Sequence, residues 1–241
     1  MTRTAPEWLT RWEYAHRGLH SDSVPENSLA AAQAAIAAGL GVECDIQRSA
    51  DNLPIVFHDW DLDRLTSGTG PIEDHAAADI ELLSFRGTSH QPARLEQLLS
   101  LIDGRVPLLI ELKSRPGYDV EKTCAGVADL LGDYAGDHAV MSFDPRVCEW
   151  FHHHGGGTPC GLTMREDEVG YTQTAQERQD ALDAADPDFL AYHIDALPNA
   201  WVQGLRENGL TILAWTITTP LLRARAATHA DVLISEEGGL A

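Results

Sequence analysis

The sequence predicts an α/β protein, a closed (β/α)8 barrel, and three observations carry that expectation. Short β-branched and apolar runs alternate with longer stretches of helical periodicity, the pattern of a parallel sheet whose strands are joined by helices. Eight such runs can be read along the chain, and eight is the number that closes a barrel. The 241 residues, 44% of them hydrophobic, have the length of one such barrel. No Pro/Gly/Ser-rich linker or compositional break interrupts them, so residues 1–241 are expected to form a single domain.

The expected strands lie near residues 13–16, 42–47, 106–113, 138–143, 159–163, 188–193, 211–217 and 231–235. The first expected helix spans 28–38, opened by Asn27 as cap and stopped by Gly39. The second spans 92–102, with Leu95, Leu98, Leu99 and Ile102 on one face. Further helices are expected over 120–131, 145–154, 174–185, 198–208 and 220–228, three of them opening on proline, which suits a first helical turn. Residues 54–91 break the alternation. A short strand, 55–58, runs into the turn-rich Ser67-Gly68-Thr69-Gly70-Pro71, read as a short loop insertion after the second strand that caps one mouth of the barrel.

Composition excludes several function classes. The formal charge is −20, so the molecule repels nucleic acid and anionic lipid surfaces, and no nucleic-acid partner is expected. Arg3, Glu7, Arg11 and Glu13 interrupt the first residues, unlike the apolar core of a secretory signal. No later run comes near the roughly 18 apolar residues of a membrane span. Cys44, Cys124, Cys148 and Cys160 lack metal-ligand or paired spacing and are expected to pack as small apolar groups in a reducing, cytoplasmic setting. Nothing in the sequence sets an oligomeric state.

Strand parity locates the chemistry. In Val42-Glu43-Cys44-Asp45-Ile46 the two acids share one face and the apolar residues the other, so Glu43 and Asp45 should point into the barrel. The same parity turns Glu111 and Lys113 of Leu109-Ile110-Glu111-Leu112-Lys113 inward. Inward carboxylates held this close, away from bulk water, are unfavourable unless a proton or a cation sits between them. Such an oxygen-only site suits Mg²⁺ or Ca²⁺ better than zinc, with Mn²⁺ also admissible. His16, at the end of the first strand, and His58, at the end of the short strand, stand at matching positions. One imidazole can take a proton from a nucleophile while the other gives one to a leaving alkoxide.

These residues resemble the glycerophosphodiester phosphodiesterase family. The resemblance runs in order through His16-Arg17-Gly18, Pro25-Glu26-Asn27-Ser28, Glu43-Cys44-Asp45-Ile46, Pro54-Ile55-Val56-Phe57-His58-Asp59, Leu62-Asp63-Arg64, Gly68-Thr69-Gly70, Glu111-Leu112-Lys113 and Trp215-Thr216. It implies a TIM (β/α)8 barrel of the phospholipase-C-like phosphodiesterase type, with the site at the carboxyl ends of the strands. It further implies His16 and His58 as the acid/base pair, and Glu43, Asp45 and Glu111 as ligands of one divalent cation. Arg17 and Lys113 would contact phosphate and Trp215 would line the substrate cleft. The substrate implied is a small phosphodiester, cleaved to an alcohol and glycerol 3-phosphate. Rival expectations are a lysophospholipase D-like activity on lipids and a silent phosphate-binding barrel. The family usually shows an asparagine near Thr218 and a Thr-Asp or Thr-Asn pair where this chain has Ser235-Glu236, differences expected to bear on the alcohol group. The short insertion after His58 bears on the head group in the same way.

Other features carry weaker expectations. His152-His153-His154 should be solvated at a helix end, and His193 could touch substrate at a strand end. Asp144 of Phe143-Asp144-Pro145 should cap the next helix. The stretch Arg165 to Glu168, with Asp180, Asp183 and Asp186, reads as a solvated face.

Overall fold

The computed structural model describes residues 3–240. A 3-10 turn, Glu7–Arg11, leads into β1 (Tyr14–Ala15), and α1 (Leu29–Ala38) carries the chain to β2 (Gly41–Arg48). An excursion follows, made of β3 (Pro54–Val56), α2 (Ala77–Ile80) and β4 (Ala93–Arg94). Strict alternation then resumes with α3 (Leu95–Ile102), β5 (Leu108–Leu112), α4 (Val120–Leu131), β6 (His138–Ser142), α5 (Pro145–His154) and β7 (Cys160–Met164). It ends with α6 (Ala175–Ala185), β8 (Phe189–His193), α7 (Ala200–Glu207), β9 (Thr211–Ile217), α8 (Pro220–His229) and β10 (Val232–Ser235).

Eight of the ten strands close on themselves. Parallel pairings run from β1 through β2, β5, β6, β7, β8, β9 and β10 and back to β1, so the expected (β/α)8 barrel is the fold observed. β1 covers only Gly41 and Val42 of β2; further along, Ile46–Arg48 pair antiparallel with β3 instead. Among the described residues, no helix is long and apolar enough to cross a membrane.

Strand parity divides the interior into two cores. Val42, Cys44, Ile46, Ile110, Leu112, Leu162 and Tyr192 face outward and pack against the helices. Leu9, Tyr14, Leu109, Met141, Phe189, Leu213, Val232 and Ile234 fill the lumen at its amino end, with Leu9 of the N-terminal turn closing it. Full burial of one such leucine contributes about 1.5–3 kcal/mol. All four cysteines are free and buried, as expected of small apolar groups.

Several element ends differ from the sequence expectation. Ser28, not Asn27, caps α1 by accepting from the Ala31 N–H, because Asn27 adopts φ 54° and turns its amide elsewhere. Helix α3 begins at Leu95 because Ala93 and Arg94 are drawn into pairing with β3. Helix α7 begins at Ala200, where the Asn199 side chain supplies the cap. Asp144 caps α5 as expected, accepting from the Arg146 N–H. The excursion is more than a loop, since Ile55, Phe57, Leu62, Ile72, Ala77, Ile80 and Phe85 give it a small core of its own. That core fixes the wall from which His58 projects.

Candidate active site at the carboxyl end of the barrel

Asp45 and Glu111 stand directly opposite each other on β2 and β5. One oxygen from each of Glu43, Asp45 and Glu111 lies within 4.8 Å of the others, and all three side chains are buried. Lys113 Nζ sits 2.6 Å from Asp45 Oδ1 and also binds Glu111, while Arg17 Nε lies 3.3 Å from Asp45 Oδ2. A salt-bridge cluster is therefore present, but among the described residues it leaves Glu43 without a cationic side-chain partner. The Glu43 carboxylate accepts the Arg17 backbone N–H, at 2.8 Å. Burial, with the charges of Asp45 and Glu111, pushes its carboxyl up to about 7. Burial would raise Asp45 too, but Lys113 and neighbouring positive groups hold it well below the usual carboxylate range. Burial opposes the charge of Lys113, and Asp45 and Glu111 more than offset that, so its pKa is raised. Three hard oxygen donors, one of them lacking counter-charge, fit a divalent cation of the Mg²⁺ or Ca²⁺ kind.

Asn27 explains its unusual backbone here. Its amide donates to Asp45 Oδ2 at 2.8 Å, and its carbonyl accepts the Asp45 N–H at 3.0 Å. This two-way bond locks the carboxylate that carries most of the site's ion pairing.

The two imidazoles occupy unlike settings. His16 follows β1, its N–H donating to Ser235 O across the barrel seam at 2.9 Å. Its Nδ1 lies 2.8 Å from Glu236 Oε2. Burial would lower the His16 pKa, but the Glu236 hydrogen bond and the Glu43 charge outweigh it and the pKa is raised. His58 is held through Nδ1 by Asp59 Oδ1 at 2.7 Å, and its pKa is lowered, first by burial and then by Lys113 and Arg17 against the pull of Asp45. Both rings feel the Asp45 charge.

A chain of ions ties the two histidine loops together. Arg17 Nη1 donates to Glu26 Oε1 at 2.7 Å, Arg64 Nη2 donates to the same oxygen at 2.9 Å, and Arg64 Nε donates to Asp59 Oδ2 at 2.5 Å. The motifs Pro25-Glu26-Asn27-Ser28 and Leu62-Asp63-Arg64 thus supply the supports of the site, a role that the residues alone did not reveal.

A cleft of 570 Å³ opens onto His58, Glu111 and Lys113 and is walled by Trp60, Phe143 and Tyr171, among others. Trp215 packs on that wall, its ring edge-on to Phe143 at 5.5 Å and to His193 at 4.8 Å, with its indole N–H donating to Ala191 O. A larger cavity of 780 Å³ lies against α4, α5 and the amino ends of β6 and β7, away from the carboxylates. His16, Arg17, Glu43, Asp45, His58, Glu111 and Lys113 are therefore brought together, with Trp215 against Phe143 of the cleft wall.

Glu236 binds His16 and, through Oε2 at 3.2 Å, His20 Nε2. Two expectations need correction. Glu166 is not a solvated acid: it accepts from Asn199 Nδ2 at 2.7 Å and from the Tyr192 hydroxyl, because the residues after β7 fold back over β8. His152 is half-buried, 3.7 Å from Asp188, while His153 and His154 are exposed as expected.

Comparison with known proteins agrees with this geometry. Residues 16–235 match the glycerophosphoryl diester phosphodiesterase family. Bacillus subtilis YhdW is 28% identical over 221 residues, 88% of each chain. A glycerophosphodiester phosphodiesterase of the same organism is 28% identical over 227 residues, 84% of this chain and 75% of the relative. In fold, the chain is similar to an Oleispira antarctica phosphodiesterase solved with the product sn-glycerol-3-phosphate, at TM-score 0.82 and 24% identity over 93% of this chain and 92% of that one. With a match from the first histidine of the site to the end of the last barrel strand, this chain belongs to the glycerophosphoryl diester phosphodiesterase family.

Proposed function

We propose that the chain hydrolyses glycerophosphodiesters to an alcohol and glycerol 3-phosphate. Glu43, Asp45 and Glu111 hold one divalent cation, and His16 and His58 serve as the proton-transfer pair. The observation that carries this reading is the convergence of three buried carboxylates, one of them uncompensated, with two imidazoles of unlike proton affinity that feel their charge. When bound, the cation supplies Lewis-acid stabilisation to a phosphoryl oxygen. Arg17 and Lys113, already at the carboxylates, offer donors to the remaining phosphate oxygens. One imidazole takes the proton of the attacking water or substrate hydroxyl and the other protonates the alkoxide as its bond to phosphorus breaks. Each contributes on the order of 10² to 10⁴ in rate. Trp215 backs the wall against which the alcohol lies.

The experiment is a panel of water-soluble glycerophosphodiesters assayed with EDTA and then with Mg²⁺, Ca²⁺ or Mn²⁺ restored. Activity should vanish with the chelator and return with at least one ion; turnover indifferent to EDTA would sink the reading. A second reading, lysophospholipase D-like activity, gains one observation. Val169 and Tyr171, 68% and 59% exposed, form an apolar edge on the cleft beside Phe143. Faster cleavage of lysophospholipids than of short diesters would favour it.

A further inference from the structure

The turn that carries His16 is strained and fastened from two sides. Arg17 lies at φ 56° and Gly18 at φ 76°. A Cβ on Gly18 would stand 2.8 Å from Ala31, so only glycine lets the turn press against α1. A non-glycine residue in the left-handed region is strained and persists where its surroundings over-determine it. One fastening is Glu43, which accepts the Arg17 N–H. The other is Glu236, whose Oε2 receives His16 from one side of the turn at 2.8 Å and His20 from the other at 3.2 Å. Glu236 follows the last barrel strand and is itself held by β9, its N–H donating to Ile217 O at 2.9 Å.

We propose that Glu236, seconded by His20, is the positioning residue of His16. By committing Nδ1 as a donor it leaves Nε2 as the nitrogen that faces the reaction. An ionised carboxylate can only accept, so the shared oxygen dictates the tautomer as well as the ring orientation. Among the described residues the side-chain hydrogen bonds of Glu236 go to His16 and His20, and its effect on rate therefore passes through His16. This inference rests on the proposed role of His16.

The test is a double-mutant cycle on diester hydrolysis at saturating Mg²⁺, with Glu236→Ala, Glu236→Gln, His16→Ala and the double variant His16→Ala/Glu236→Ala. Glu236→Ala should lower kcat between about 10-fold and about 10²-fold with KM within about twofold, since orientation rather than substrate contact is lost. Glu236→Gln, which keeps an acceptor oxygen, should recover part of that loss. In the His16→Ala background the second change should cost nothing further. A Glu236→Ala protein that folds as wild type and turns over at the wild-type rate overturns the proposal. So does an additional loss in the double variant as large as that in the single one. If His16→Ala alone kept full activity, the catalytic role of His16 would fall instead, an outcome distinct from either.

Discussion

The two ends of the barrel lumen are built by the same strands and differ by one step along them. On β5 the inward residue is Leu109 and, two positions on, Glu111; on β9 it is Leu213 and then Trp215. The amino end is filled to contact, so much so that a Cβ on Gly161 would lie 2.1 Å from the Phe189 ring. The carboxyl end holds Glu43, Asp45, Glu111 and Lys113 instead. Facing inward therefore means packing at one depth and chemistry at the next. The closed end can hold a strand register rigid enough to keep like charges together at the open end, where they oppose folding.

Separate substitutions at the two ends should break this contrast in opposite ways. The largest effect expected is that of Glu43→Gln, which should take diester hydrolysis to background, a loss of about 10³-fold or more. Its urea midpoint should stay level or rise, since one buried like charge is gone. His58→Ala should follow, with a loss of about 10² to 10⁴ in kcat and an unchanged unfolding midpoint. Leu109→Ala sharpens the comparison from below. It should cost about 2–5 kcal/mol in urea unfolding, while kcat in the folded protein stays within about twofold. A Leu109→Ala protein of full stability but poor activity would mean that the closed end is not the scaffold described.

The smallest effect concerns pH. Burial would raise Glu26, but its hydrogen bonds and ion pairs with Arg64 and Arg17 hold its carboxyl below the usual range. The unfolded chain then binds the proton more readily than the folded one, so the stabilisation is present above the ordinary carboxylate pKa and is lost as pH falls through the depressed one. Glu26→Gln should remove about 1 kcal/mol at neutral pH and flatten the acid limb of the stability profile followed by circular dichroism. An acid limb as steep as that of wild type would show that Glu26 is not paired in solution.

The carboxyl end of the lumen was legible in the sequence for one reason. Alternation along β2 and β5 is a local property, and it sorts Glu43 and Asp45 from Val42, Cys44 and Ile46 without knowledge of the neighbours. What escaped was set by partners distant in sequence. Glu236 meets His16 only because β10 closes on β1, a contact across 220 positions. Asn27 looked like a helix cap because capping is a local habit of asparagine, and Asp45, which claims both ends of its amide, is 18 positions away. Glu166 sat in an acidic run, and nothing in that run shows that Tyr192 and Asn199 fold against it. The core of the excursion, Ile55 to Phe85, has no repeating period because its elements are too short to impose one.

The central claim is that the open end of the lumen assembles a cation site from Glu43, Asp45 and Glu111. Calorimetric titration of Mn²⁺ into metal-free protein tests it most directly. Saturable binding of one ion per chain by the wild type, abolished in Glu43→Gln and Glu111→Gln proteins of unchanged fold, is the result expected. A wild type that binds no ion, or variants that bind as tightly as it does, would contradict the account.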